Sequence, residues 1–166
     1  MQTVIWNLKS SAGPGPSPIG WHVLPIIVFS QFCGTSLWFA SNGVMGPLSA
    51  HFGLPATALG DLTASVQFGF ISGTLVFALL TLADRYPPSR VFFLSAVLGT
   101  LANLGLVWEG NSYLTLLLLR FATGFFLAGI YPVGMKIASD YYDKGLGTSL
   151  GYLVGALVLG LSLIHI

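Results

Sequence analysis

The sequence predicts an all-α integral membrane protein with about five transmembrane helices. Hydrophobic residues make up 54% of the chain and charged residues only 7%, and the mean hydropathy is +0.83. A soluble domain carries about 25% charged residues, so this chain is too poor in charge to cover a surface in water. Its long apolar stretches are the second observation, because a helix needs about 20 residues to cross the hydrocarbon of a bilayer.

Residues 1–21 are predicted to form a separate, flexible tail. Pro14, Pro16 and Pro18 alternate with glycine and serine, which is typical of a mobile segment. Lys9 is the only charge in the tail, and the apolar run that follows is too long for a secretory signal. The predicted membrane bundle therefore occupies residues 22–160.

Five apolar stretches joined by short loops predict the spans of this bundle. The spans cover about residues 23–48, 59–83, 91–108, 114–138 and 147–160 or beyond. Loops this short require that neighbouring helices run antiparallel.

The basic residues predict how the spans are oriented. Five of the six belong to the N-terminal side of the membrane: Lys9, Arg85, Arg90, Lys136 and Lys144. The sixth, Arg120, lies within the fourth span. By the positive-inside rule the N-terminus is cytoplasmic, and we expect a multi-pass protein of the cell membrane.

Small residues and one proline predict how the spans pack. Gly69 and Gly73 stand four apart in the second span, and Gly147, Gly151 and Gly155 repeat this spacing in the fifth. Small residues four apart share a helical face and let two backbones approach closely, although chance pairs are the alternative in a chain with 21 glycines. Pro132 is predicted to kink the fourth span.

Arg120 is the residue that points most clearly to function. It follows four leucines inside the fourth span, where a guanidinium costs at least a few kcal/mol and normally faces a cavity or a partner. Helical geometry predicts a polar pathway along its face, which also carries Thr123, Gly124, Leu127 and Tyr131. The alternative is a structural arginine that snorkels to the surface or pairs with another helix.

Amide and indole side chains in the first two spans extend this hypothesis. Gln31 and Asn42 share one face of the first span with Trp38 nearby, and Gln67 lies in the second. Such groups need hydrogen-bond partners in a membrane, either a solute or another helix. The predicted substrate pathway is lined by Gln31, Trp38, Asn42, Gln67, Arg120 and Tyr131.

The sequence gives no indication of catalysis. It contains no HExxH, Cys/His metal spacing, GxSxG or Walker pattern, so we expect no enzyme activity, no metal site and no cofactor. The few basic residues are dispersed, which argues against a nucleic-acid partner. Cys33 is the only cysteine, so no intrachain disulfide can form.

The loop after the second span resembles a signature of the major facilitator superfamily. Leu82-Ala-Asp-Arg-Tyr-Pro-Pro-Ser-Arg90 is similar to the family pattern Gly-x-Leu-Ala-Asp-Arg-x-Gly-Arg-Arg, with Leu80 and Pro87 in place of the two glycines. The resemblance implies that Asp84, Arg85 and Arg90 form a conformational switch loop and do not bind the substrate. An ordinary charged turn is the alternative.

Two further segments resemble the same family. Leu116 to Gly124 is similar to its fourth-helix pattern Leu-x-x-x-Arg-x-x-Gln-Gly, with Thr123 in place of the glutamine. This match implies that Arg120 takes part in proton coupling or substrate contact. The segment from Asp140 to Gly147, which includes Lys144, resembles the next cytoplasmic loop of the family.

The resemblance implies a larger architecture and a function. The family has twelve spans in two six-helix halves, so we expect a truncated N-terminal half whose partner is a C-terminal bundle of the same protein. Residues 161–166 are expected to be a non-native, adapter-derived tail, or else further apolar helix. The implied function is gradient-driven transport of a small solute by alternating access, with a proton or another coupling ion. The alternatives are a non-transporting membrane subunit and a small dimerising membrane protein.

Overall fold

Every element that the structure describes is a helix. The computed structural model describes residues 23–43, 45–55, 57–141, 147, 151–152, 154–155 and 158. Within these residues the helices are α1 (Val23–Gly43), α2 (Met45–Phe52), α3 (Ala58–Leu79), α4 (Leu82–Arg85), α5 (Pro88–Gly105), α6 (Tyr113–Leu127) and α7 (Tyr131–Tyr141). The predicted tail, Lys144, most of the fifth predicted span and residues 161–166 lie outside them.

Two stretches of the described chain are long and apolar enough to cross a membrane. The first is Ala58–Leu79, and the second is Tyr113–Asp140, which runs through α6, a turn and most of α7. The count of five spans stays a prediction.

The predicted end of the second span needs correction. For the first span, predicted over residues 23–48, the structure describes helix over Val23–Gly43 and over Met45–Phe52. The second was expected to reach residue 83, whereas α3 ends at Leu79. Thr81 has a φ of 48°, in the left-handed region, and this interrupts the helix before α4.

The third span begins earlier than predicted. We expected residues 91–108, but α5 runs from Pro88 to Gly105. Proline suits the first turn of a helix because the N–H that it lacks has no partner there.

The predicted kink of the fourth span is confirmed as a break between two helices. Instead of one helix over residues 114–138, α6 and α7 are separated by a turn, and α7 extends to Tyr141. In the turn the Gly129 N–H donates to the Phe126 carbonyl at 2.9 Å and the Ile130 N–H to the Leu127 carbonyl at 3.0 Å. Both bonds join residues three apart, in contrast to the four-residue spacing of an α-helix. They come just before Pro132, which has no N–H to donate to the next helical hydrogen bond.

Helices α3 and α6 are parallel and in register. The Ser65 hydroxyl donates to the Leu117 carbonyl at 2.7 Å, and these two residues are 52 positions apart. One turn further along each helix Gly69 packs on the Phe121 carbonyl, and one turn beyond that a Cβ on Gly73 would lie 2.5 Å from the Phe125 oxygen. The predicted glycine face of the second span is therefore confirmed, and it packs against backbone.

The other two long segments run in the opposite direction to α6. Gly105 and Gly99 of α5 lie against Leu119 and Phe126 of α6, so a later position on α5 meets an earlier one on α6. Gly34 of α1 lies against Ile130, whereas the later Trp38 contacts the earlier Arg120. The four long segments described thus alternate in direction, as short loops between spans require.

The glycine face of the fifth predicted span stays a prediction, because most of that span lies outside the described residues. A Cβ on Gly147, Gly151 or Gly155 would have no neighbour within 4 Å in the described structure.

The surface of the bundle is strongly apolar. Phe68, Leu79, Val107 and Trp108 are between 65% and 77% exposed. The buried apolar clusters are small by comparison, with Leu62, Leu106 and Leu116 in one and Val66, Leu127 and Ile130 in the other. So large an exposed apolar surface is typical of contact with lipid.

Candidate functional site

Arg120 lies inside the bundle. Helix α6 begins after Ser112, whose hydroxyl accepts a hydrogen bond from the Thr115 N–H at 3.3 Å, and Arg120 follows two turns into the helix. Its side chain is 1% exposed, and its Nη2 donates to the Trp38 carbonyl of α1 at 3.4 Å. The guanidinium therefore faces another helix and does not snorkel, which removes one of the two structural alternatives.

The rest of the Arg120 face is packed, which corrects the prediction that this whole stripe lines a pathway. Thr123, Gly124 and Leu127 are all buried. Gly124 lies against the Val66 carbonyl of α3, and a side chain there would collide with it. Sequence periodicity gave the face of the helix correctly but could not tell that α3 covers it.

Gln31 places a polar group against the fourth span. It is fully buried, and its Nε2 lies 3.5 Å from the Tyr131 carbonyl at the start of α7. Its Oε1 packs on Gly134 and has no hydrogen-bond partner among the described residues. A buried acceptor without a donor costs free energy, so this oxygen is an unusual feature of the bundle interior.

Four of the six predicted pathway residues lie along one seam between α1 and the fourth span. We call it the α1 seam, and it consists of Gln31, Trp38, Arg120 and Tyr131. Trp38 is half-buried and packs edge-on against Phe70, with ring centroids 5.2 Å apart. Tyr131 takes part through its carbonyl oxygen.

The other two predicted pathway residues are not part of the α1 seam. Gln67 is exposed on α3, on a different face from the buried Val66. Asn42 belongs to α1, but its side chain lies outside the described residues.

Asp84 of the predicted switch loop forms an ion pair. Its Oδ1 lies 2.8 Å from Lys136 Nζ, and the side chains are 67% and 35% exposed respectively. The pair ties α4 to α7. The sequence showed Lys136 only as a basic residue near the predicted cytoplasmic side, so its pairing with Asp84 was missed.

The remaining charged residues of this end are exposed. Arg85 ends α4 and Arg90 lies in the first turn of α5, and neither side chain has a hydrogen bond or ion pair within the described part of the chain. Asp140 is exposed near the end of α7, one turn beyond Lys136. The opposite end carries a second polar pair, in which Tyr113 donates to Asp61 Oδ2 at 2.6 Å.

Comparison with known families decides the class of this protein. The profile of the Major Facilitator Superfamily matches residues 27–164. The chain belongs to the major facilitator superfamily. The comparisons with curated proteins and with solved structures gave no match.

As a major facilitator protein, this chain is a membrane transporter. Members of the superfamily sit in a lipid bilayer and bind small solutes, and they are transporters and not enzymes. The resemblance read from the Asp84 loop and the Arg120 segment is thereby confirmed at the level of the family. The roles of the single residues stay predictions.

Proposed function

We propose that this chain moves a small solute across the cell membrane by alternating access, driven by the gradient of the solute or of a coupled proton or other ion. The N-terminus would lie in the cytoplasm. The observation that supports this proposal best is Arg120, a guanidinium that is 1% exposed inside an apolar helix of a superfamily member.

The buried charge of Arg120 is unfavourable for stability, which indicates that it has a function. Placing arginine in the middle of a membrane helix costs at least a few kcal/mol, and such residues mark solute or ion pathways. The Trp38 carbonyl of α1 is one of its contacts. Gln31 Oε1, which has no donor among the described residues, lies on the same seam, so a guanidinium and an amide oxygen come together inside the bundle.

Gln67 extends the proposed pathway to a second surface of the bundle. The exposed positions nearest to it on the helix form a first group of Gly60, Ala64, Ile71 and Thr74, of which only Ile71 is large and apolar, whereas Phe68 and Leu75, further round the helix, form a second, apolar group. We propose that the first group and Gln67 face a second bundle of the same protein, together with Asn42, whereas the second group faces lipid. A solute at the interface of the two bundles would then reach amide groups from α1 and α3.

The charged end would control opening on the cytoplasmic side. The Asp84–Lys136 pair holds α4 against α7, and α7 carries the Tyr131 carbonyl that contacts Gln31. Breaking the pair would free α7 to move relative to α3 and alter access to the α1 seam. Arg85, Arg90, Asp140 and Lys144 would adjust the strength of this contact through their charges.

Solute uptake tests this proposal. Cells that express this chain together with the second bundle that the proposal requires would be screened against a panel of radiolabelled sugars, amino acids, organic anions and amphipathic cations. We expect uptake of at least one solute, loss of that uptake in Arg120→Met, and retention in Leu118→Ala, a matched change at an exposed position of the same helix. Unchanged uptake in a normally expressed Arg120→Met variant would remove Arg120 from the pathway.

A further inference from the structure

We propose that Arg90 and the two apolar grooves beside it bind one anionic phospholipid. The larger groove has a volume of about 320 Å³ and runs along the first turns of α5, with Arg90 and Tyr86 at its charged end. Its walls are Phe77 of α3, Leu94 and Leu98 of α5 and Phe126 of α6. This volume is within the range of about 300–1,000 Å³ that is typical of small-molecule sites.

The floor of the groove is formed by a close helix contact. Ser95 is 4% exposed and lies at the bottom, and a Cβ on Gly129 would collide with its hydroxyl oxygen. The absence of a side chain at Gly129 brings α5 close to the turn between α6 and α7. The depth of the groove therefore follows from backbone packing as well as from the positions of flexible side chains.

A second groove of about 310 Å³ lies on the other side of Arg90. It is lined by Ser89, Arg90, Phe93 and Leu94, so Arg90 and Leu94 belong to both grooves. A cation between two apolar channels matches a phospholipid, whose single phosphate is joined to two acyl chains. A free phosphate ion would use the cation and leave both channels unfilled.

Charge favours an anionic headgroup. The Arg90 guanidinium is exposed and makes no hydrogen bond or ion pair with the described residues. None of the described residues that line either groove is acidic, and the neighbouring Asp84 is paired with Lys136. A basic residue at the membrane border attracts anionic lipid. This inference needs only that the chain lies in a bilayer, so it is independent of solute transport.

Photocrosslinking in vesicles tests the proposal. The full chain would be placed in phosphatidylcholine vesicles doped with phosphatidylglycerol or phosphatidylcholine that carries a diazirine in its acyl chain, and the labelled peptides would be mapped. We expect the phosphatidylglycerol probe to label the segments around Leu94 and Phe126 about fivefold more than the phosphatidylcholine probe. Arg90→Gln should lower this labelling to the phosphatidylcholine level, and Arg90→Lys should keep most of it. The control is Arg85→Gln, an exposed arginine outside both grooves, which should keep the preference.

A second variant tests the grooves without changing charge. Leu98→Trp would fill the larger groove and should reduce labelling near Phe126, whereas Leu101→Trp, on an exposed part of the same helix, should not. Equal labelling by the two probes, or an unchanged preference in Arg90→Gln, would overturn the proposal. If other apolar surfaces were labelled and the grooves were not, another part of the protein would have to cover the grooves. This result would also overturn the proposal.

Discussion

Tyr113 donates a 2.6 Å hydrogen bond to Asp61, and this pair begins a register of contacts that ends at the Asp84–Lys136 ion pair. Between these two pairs, Ser65 meets Leu117, Gly69 meets Phe121 and Gly73 meets Phe125, and the two members of each pair are 52 positions apart in the sequence. From Asp61 to the end of α3 at Leu79 the helix advances 18 residues, and Asp84 follows after the turn at Thr81. At about 1.5 Å per helical residue the helical part is about 27 Å long. The hydrocarbon of a bilayer is about 30 Å thick, so we expect one polar pair near each border.

The register depends on glycine at the contact between α3 and α6. Gly124→Ala places a Cβ against the Val66 carbonyl, and the strain should exceed the gain in helix propensity. We expect a loss of about 1–2 kcal/mol in stability, seen as a lower melting temperature of the purified chain in detergent. The control is Gly60→Ala on α3, the helix that packs against α6, where a Cβ meets open space. Equal melting temperatures for the two variants would contradict the close packing.

The Arg120→Met variant distinguishes a role of Arg120 in solute transport from a role in stabilising the helix packing. Replacing a buried charge by an apolar side chain of similar size is often neutral or stabilising, because the cost of desolvating the charge is removed. We expect a melting temperature at least as high as that of the unsubstituted chain, together with loss of solute uptake. A clear fall in melting temperature would instead assign Arg120 to holding α1 against α6 through the Trp38 carbonyl.

Gln67 and Phe68 are adjacent in the sequence, but we expect Gln67 to face a water-containing pathway and Phe68 to face lipid. In a Cys33→Ser background, we expect Gln67→Cys to react with a membrane-impermeant maleimide, because the proposed pathway contains water. Phe68→Cys should not react, because Phe68 is 65% exposed on a surface that we assign to lipid. The measurement is labelling on intact and on inside-out vesicles. Equal reactivity at the two positions would remove Gln67 from the pathway.

The Asp84–Lys136 pair should act on access and have little effect on stability, since both groups are partly exposed. Asp84→Lys and Lys136→Asp each bring like charges together, and we expect either change to alter the labelling rate of Gln67→Cys severalfold. The double exchange restores opposite charges and should restore the rate. Glu109→Gln is the control, because Glu109 is an exposed charge that follows α5 at the opposite end of the bundle. Failure of the double exchange to restore the rate would contradict a switch built on this pair.

The sequence predicted the features that depend on local chemistry. The glycine face of α3, the break before Pro132 and the burial of Arg120 each follow from one residue type and the geometry of a helix. The sequence also singled out Gln31 and Arg120, two members of the α1 seam, because they are polar groups in strongly apolar stretches; their part in a pathway stays a prediction.

The features that the sequence did not predict depend on how two helices are placed in space. Nothing local indicates that Lys136 meets Asp84, or that Tyr113 meets Asp61, because both pairs result from the register between parallel segments. The sequence also did not predict that α3 covers the face of α6 that carries Thr123 and Leu127. The turn at Thr81 was missed because no proline or glycine marks it.

The most direct test of the account is the side of the membrane on which each end of the bundle lies. In a Cys33→Ser background, Glu109→Cys and Ser89→Cys would be labelled with an impermeant maleimide in intact cells and again after the membrane is opened. Glu109 follows α5 and Ser89 lies in its first turn, so a spanning α5 separates them. We predict labelling of Glu109→Cys in intact cells and of Ser89→Cys only after opening. Labelling of both from the same side would contradict a bundle that spans the membrane with its Asp84 end in the cytoplasm.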